Sequence, residues 1–81
     1  MNPEGWLIEP NNKWLLLFYK DPMSLEQIPE FYMEKWNVSP AKTPLKLINR
    51  RKVSFNAALE TWNELTDNGW IKIKAQFGEV A

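Results

Sequence analysis

The sequence predicts an α+β domain, with four or five strands in a largely antiparallel sheet and one amphipathic helix packed on one face of it. Three observations lead to this fold class. Residues 55–68 have the apolar period of a helix, whereas the segments around them have the short lengths and alternation of strands. The loops between the first four predicted strands are short, and short loops join antiparallel neighbours.

The predicted helix has a start signal, an apolar stripe and a stop signal. Ser54 is a suitable N-cap, because its hydroxyl can accept a hydrogen bond from a free amide of the first turn. Gly69 adopts the left-handed conformation at little steric cost, and Leu65 and Trp70 would then make the apolar contact of a Schellman ending. The stripe consists of Phe55, Ala58, Leu59, Trp62 and Leu65.

The chain begins with a predicted hairpin, residues 6–9 and 13–20, joined by the turn residues Pro10-Asn11-Asn12. Both faces of its second strand are apolar. One face carries Trp14, Leu16 and Phe18, and the other carries Leu15, Leu17 and Tyr19. Such a strand is covered on both sides, or its second face meets a loop or another molecule. The second set is therefore the predicted interaction surface.

Three further segments complete the predicted sheet. Residues 24–28 form a short turn, residues 31–36 the third strand and residues 45–53 the fourth. Past the helix, residues 71–77 alternate between apolar and polar side chains, which predicts a closing strand with one buried and one solvated face. Residues 1–81 form a single domain, and we expect residues 1–5 and 78–81 to fray.

The composition limits the chemistry that the chain can perform. It contains no histidine and no cysteine, which removes an imidazole base, a thiolate nucleophile and a Cys/His zinc site. Its three glycines do not form a phosphate-binding loop. We therefore expect no catalytic residue, no metal and no cofactor, and we do not expect an enzyme.

Carboxylates are the remaining candidates for acid–base or metal chemistry. One group lies on a single face of the predicted helix, and another follows the short turn and the third strand. These groups are Glu60, Glu64 and Asp67, and Glu26, Glu30 and Glu34. Acidic side chains at such spacing usually lie in solvent, so we expect both groups to be solvated.

The charge balance and the apolar segments predict a cytoplasmic protein. Ten basic and ten acidic side chains give a net charge of zero, so no global field attracts nucleic acid or an acidic membrane. The lack of cysteine fits a reducing compartment, and the N-terminus has no secretory pattern. The longest apolar run, residues 14–19, is too short to span a bilayer.

One local concentration of cations, Arg50-Arg51-Lys52, stands immediately before the predicted helix. Free amides at a helix N-terminus together with guanidinium groups are typical of a phosphate-binding site. Lys72 and Lys74 extend this patch if the last strand lies beside the fourth. Alternatively, the three cations point to alternate faces, with Arg51 paired to a carboxylate such as Glu34 and the others solvating a sheet edge.

Several short motifs follow one another along the chain. They are Gly5-Trp6-Leu7, Trp14-Leu15, residues 31–36, Arg50 to Ser54, and Ala58, Leu59, Trp62, Leu65, Gly69 and Trp70. Their order resembles a family of small cyanobacterial proteins of unknown function. The resemblance extends over nearly the whole chain. It implies a small stand-alone cytoplasmic protein and brings no activity or site residue with it.

Two functional hypotheses follow from the residues. The first is a protein-interaction or regulatory module, which binds a protein partner or self-associates as a homodimer through the two-sided strand. The second is nucleic-acid or phosphate binding through Arg50, Arg51 and Lys52.

Overall fold

The computed structural model describes residues 2–74, which form one antiparallel sheet of five strands and one helix. The elements in chain order are β1 (Gly5–Ile8), β2 (Trp14–Lys20), β3 (Glu30–Val38), β4 (Pro44–Ser54), α1 (Phe55–Asp67) and β5 (Ile71–Ile73). Their spatial order in the sheet is β4-β3-β2-β1-β5. The predicted α+β class and the predicted sequence of elements are confirmed.

Helix α1 begins and ends through the contacts that its sequence predicts. Ser54 is the N-cap, and its hydroxyl oxygen accepts a hydrogen bond of 3.1 Å from the amide of Ala57. Gly69 has a φ of 96°, a conformation that side chains rarely adopt. The amide of Trp70 donates to the carbonyl of Leu65 at 3.0 Å, and that of Gly69 donates to Thr66 at 3.2 Å. These two bonds define a Schellman ending.

Helix α1 packs on one face of the sheet, here called the helix-side face. The ring of Phe18 in β2 meets the indole of Trp62 edge to face, with centroids 5.1 Å apart. Both side chains are buried, as is Ala58, which precedes Trp62 by about one turn of the helix. The strand residues of this core are Leu7, Phe18, Phe31 and Met33. Alternation along the strands sends the intervening side chains to the opposite face, here called the open face.

Strand β5 lies at the far edge of the sheet from β4, because it pairs with β1. Its register places Lys72 opposite Leu7 on the helix-side face, with the ammonium 5.9 Å from the centre of the Trp62 ring. Ile71 and Ile73 therefore lie on the open face. Lys72 and Lys74 are exposed, as predicted, whereas the predicted buried side is only partly buried, because Ile71 is 62% exposed. Residues 75–81 lie outside the described residues.

The segment before β1 is held against the fold. Pro3 is fully buried, although it belongs to the residues that the sequence predicts to fray. Between β2 and β3, residues 24–28 form the predicted turn, with a bridge between Leu25 and Ile28. This turn exposes large apolar side chains, and Ile28 is 67% exposed.

Replacing Ser54 by alanine should destabilise the fold by about 1 kcal/mol, because the amide of Ala57 loses its acceptor. Urea unfolding measured by tryptophan fluorescence would report the change. Asn56→Ala is the matched control, since this exposed residue has no side-chain hydrogen bond among residues 2–74. Equal stability of Ser54→Ala and the wild-type protein would contradict the assigned cap.

Candidate interaction surface

The open face carries an apolar cluster over which no helix of the described chain lies. Trp6, Ile8 and Leu15 are buried within it, and Leu15 is 0% exposed. The rings of Trp6 and Trp36 meet edge to face with centroids 6.1 Å apart. The partly buried members around them are Leu17, Trp36, Val38 and Ile73. The edge-to-face indole pair is therefore part of the apolar cluster on this face.

The predicted interaction residues lie together on this face, at different depths. Leu17 and Tyr19 are half-buried and reach the surface. Leu15 is fully buried in the cluster with Trp6 and Ile8, so it offers a partner no surface. The alternation of β2 places all three on one face, and side chains from neighbouring strands decide how far each is exposed.

A buried carboxylate organises the polar half of the open face. Glu34 of β3 is 4% exposed, so the prediction that it is solvated is wrong. One carboxylate oxygen accepts hydrogen bonds from the Tyr19 hydroxyl and from Nε of Arg50, the latter at 2.8 Å. The other accepts from the indole of Trp36 at 3.0 Å. These four residues are called the Glu34 network, and their three donors satisfy the buried charge.

The Glu34 network shifts the ionisation of its members. Burial acts to raise the pKa of Glu34, but hydrogen bonds from Tyr19, Trp36 and Arg50 outweigh it, and the pKa lies below its ordinary value. Burial, followed by the hydrogen bond to Glu34, raises the pKa of Tyr19 to about 12. The hydrogen bond to Glu34 raises the pKa of Arg50. Near neutral pH the network therefore contains a carboxylate, a guanidinium and a neutral phenol.

A second ion pair lies beside this network. The ammonium of Lys52 is 3.0 Å from a carboxylate oxygen of Asp21 and 4.0 Å from one of Glu30. The amide of Met23 donates to the other oxygen of Asp21 at 2.9 Å. That backbone bond, together with the hydrogen bond from Lys52, lowers the pKa of Asp21. Both cations, Arg50 and Lys52, thus have carboxylate partners within the chain.

The predicted phosphate site at the helix N-terminus does not form. In the extended strand β4, Arg50 and Lys52 point to the open face and Arg51 points to the helix-side face. The groove beside the N-cap is lined by Gln27, Ile28, Pro29, Ser54, Phe55 and Asn56 and contains no cation. Strand alternation therefore separates the three cations, and Glu34 pairs with Arg50 where the sequence suggested Arg51.

Lys72 and Lys74 do not extend the cation patch of β4. The prediction required β5 to lie beside β4, but three other strands separate the two. The order of the elements along the chain does not predict this arrangement. Helix α1 connects β4, at one edge of the sheet, with β5 at the other edge. The two lysines consequently belong to the edge formed by β5 and β1.

Sequence reasoning missed the Glu34 network. Its donors Tyr19 and Arg50 are 15 and 16 residues away from Glu34 along the chain, on two different strands. The sequence of β3 does contain a signal for this network. Glu34 follows Phe31, Tyr32 and Met33 in this strand, and Phe31 and Met33 are buried. A carboxylate in such a strand is stable only with donors on adjacent strands.

Within residues 2–74, no group of three or more acidic side chains lies close enough together to hold a metal ion. No helix in this part of the chain has the length and apolar character needed to cross a membrane.

The fold and this surface define a small α+β protein with one helix-covered sheet face and one open face. A family model for proteins of unknown function, DUF1651, matches residues 4–77, so the chain belongs to that family. No curated protein and no solved structure matches the chain. The resemblance to a family of unknown function is confirmed.

Tyr19 should ionise at higher pH than an ordinary tyrosine, with a pKa of about 12, because burial and the bond to Glu34 favour the neutral phenol. Tyrosinate absorbance during a pH titration measures this. Tyr19→Phe should remove the late transition, and Glu34→Gln should shift it toward 10.0. An unchanged transition in Glu34→Gln would contradict the contact.

The stability of the fold should decrease in acid. Because the pKa values of Glu34 and Asp21 are lowered on folding, their stabilisation is present above the unfolded-state values of 4.5 and 3.8 and is lost as the pH falls below them. Urea unfolding between about pH 6 and pH 2 would measure the decrease. Glu34→Gln should show a smaller pH dependence, and Glu26→Gln, an exposed control, the wild-type dependence. Identical profiles for all three proteins would exclude the role of Glu34.

Proposed function

We propose that this chain is a non-enzymatic protein-interaction module that self-associates by packing the open face of its sheet against that of a second copy. The observation that supports the proposal is the apolar cluster of the open face, over which no helix or second sheet of residues 2–74 lies. A sheet normally buries both apolar faces against other layers. Two copies related by a two-fold axis would supply the missing layer and form a sandwich with the helices outside.

The charges of the open face favour a second copy over a strongly charged partner. Arg50 and Lys52 are paired with Glu34 and Asp21, so the polar half of the face is close to neutral. The apolar half continues to the edge of the sheet at Ile71, which is 62% exposed. Since the whole chain also has zero net charge, two copies approach without long-range repulsion.

The size of the open face indicates a weak, concentration-dependent dimer. Five strands about 4.8 Å apart, with a length of about 23 Å for the seven residues of β2, give a footprint of roughly 550 Å². Two such footprints bury about 1,100 Å², at the lower limit for a specific protein interface. A few side chains such as Leu17 and Ile71 would then carry much of the affinity.

The composition supports a role without catalysis. The chain has neither histidine nor cysteine, and its buried carboxylate Glu34 is saturated by three donors and held in its charged form. A carboxylate in that state is a poor proton acceptor near neutral pH. The Glu34 network is therefore better suited to fixing the shape of the open face than to chemistry.

Ile71→Lys should weaken self-association by about tenfold or more, because an unpaired ammonium in an apolar interface costs on the order of 2 kcal/mol. Sedimentation equilibrium over a wide range of protein concentration measures the dimer constant. Ile28→Lys is the matched control, since Ile28 is 67% exposed but lies in the turn before β3, away from the open face.

The wild-type protein and Ile28→Lys should have the same dimer constant. A strict monomer at millimolar wild-type concentration would exclude self-association. A dimer that Ile28→Lys weakens as much as Ile71→Lys would place the interface elsewhere.

A further inference from the structure

The charges of this neutral chain are unevenly distributed along the sheet. Residues 35–59 contain no carboxylate, yet they include six of the ten basic residues. These six are Lys35, Lys42, Lys46, Arg50, Arg51 and Lys52. All of them belong to the hairpin of β3 and β4, so the zero net charge conceals a strongly basic edge.

Four of these cations form no ion pair with residues 2–74. Ion pairs among residues 2–74 engage only Arg50 and Lys52. Lys35 places its ammonium 4.1 Å from the centre of the Trp14 ring, a contact that leaves its charge in place. Lys42, Lys46 and Arg51 are exposed. The four are Lys35, Lys42, Lys46 and Arg51, and we call them the basic hairpin.

The turn that joins the two strands is rigid and presents one of these lysines. The hydroxyl oxygen of Ser39 accepts bonds from the amides of Ala41 and Thr43. The amide of Ser39 donates to the carbonyl of Thr43, and that of Lys42 donates to the carbonyl of Ser39. Lys42 has a φ of 65°, which is unusual for a residue with a side chain. The turn therefore keeps Lys42 at the tip in a conformation that glycine would adopt more easily.

We propose that the basic hairpin binds single-stranded nucleic acid, whose phosphates contact Lys35, Lys42, Lys46 and Arg51. Strand β4 forms an edge of the sheet, and Lys46 and Arg51 lie about 17 Å apart along it, with Lys42 in the turn before the strand. A flexible chain of phosphates can follow an edge of this length. Leu45 and Ile48, which are 62% and 44% exposed, lie among the cations and offer apolar contacts to unstacked bases.

The irregular edge of β4 favours a nucleic acid over an acidic peptide strand. A peptide that extends a sheet requires a regular ladder of backbone donors and acceptors. The pairing of β4 with β3 shifts register twice, between Lys35 and Trp36 and between Trp36 and Val38. Such bulges disrupt the edge of a sheet and disfavour the addition of a strand. Recognition at this edge therefore depends on side-chain charge, which suits a polyanion.

This site is separate from the open face. Lys35 and Arg51 lie on the helix-side face, opposite Asn49 and Met33 respectively, and neither belongs to the apolar core that α1 covers. The proposal therefore does not depend on self-association. Ile71→Lys should bind nucleic acid as the wild-type protein does, whatever its oligomeric state.

Fluorescence anisotropy with a labelled single strand of about 20 thymidine nucleotides tests the proposal. The logarithm of the binding constant should fall with the logarithm of salt concentration with a slope of about −3, because each of four phosphate contacts contributes about −0.7. Lys42→Gln/Lys46→Gln/Arg51→Gln should reduce the slope by about 2, and Arg51→Gln alone by about 0.7.

The matched control is Lys13→Gln/Lys20→Gln/Lys74→Gln, which removes the same charge from exposed positions outside the basic hairpin. It should keep most of the wild-type slope. No binding at about 20 mM salt, or an equal loss in both triple variants, would overturn the proposal. Equal affinity for a poly-glutamate chain of similar length would also overturn it, in favour of an acidic protein partner.

Discussion

The packing of Phe18 against Trp62 is the contact on which the arrangement of the molecule depends. It fixes which side of the central strand β2 faces the only helix of the described chain. Because side chains alternate along a strand, this choice sends Leu15 and Leu17 to the opposite face. This assignment of side chains to the two faces determines the open face, with its apolar cluster and its buried carboxylate. The helix of thirteen residues covers the other face.

Two features of residues 2–74 stabilise the open face. In its apolar half the indoles of Trp6 and Trp36 pack edge to face, and Leu15 is fully buried in the same cluster. Its polar half is held by Glu34, which receives donors from β2, β3 and β4 and so ties three strands together. The same network neutralises one of the cations of β4. Among residues 2–74, the exposed cations of this hairpin that form no ion pair are Lys42, Lys46 and Arg51.

Local sequence signals predicted much of the fold, but they did not predict which residues from distant parts of the chain come together. The helix bounds were predicted to within one residue, because the cap at Ser54, the apolar stripe and the stop at Gly69 all agree. The place of β5 in the sheet could not be predicted, because the side chains of a three-residue strand do not specify its neighbour. The partners of Glu34 were missed for a related reason, since the register of two separate strand pairs brings Tyr19 and Arg50 to it. Alternation along β2 correctly predicted that Leu15, Leu17 and Tyr19 share one face, but the depth of Leu15 depends on side chains from other strands.

Nuclear Overhauser contacts of the Trp62 indole show directly which side chains of β2 face the helix. The ring should show contacts to Phe18 and to Leu7, which lie in the same core cluster, and none to Leu15 on the opposite face. Contacts from Trp62 to Leu15, without contacts to Phe18, would reverse the two faces of the sheet. Such a result would contradict the assignment of the open face and of the surface formed on it.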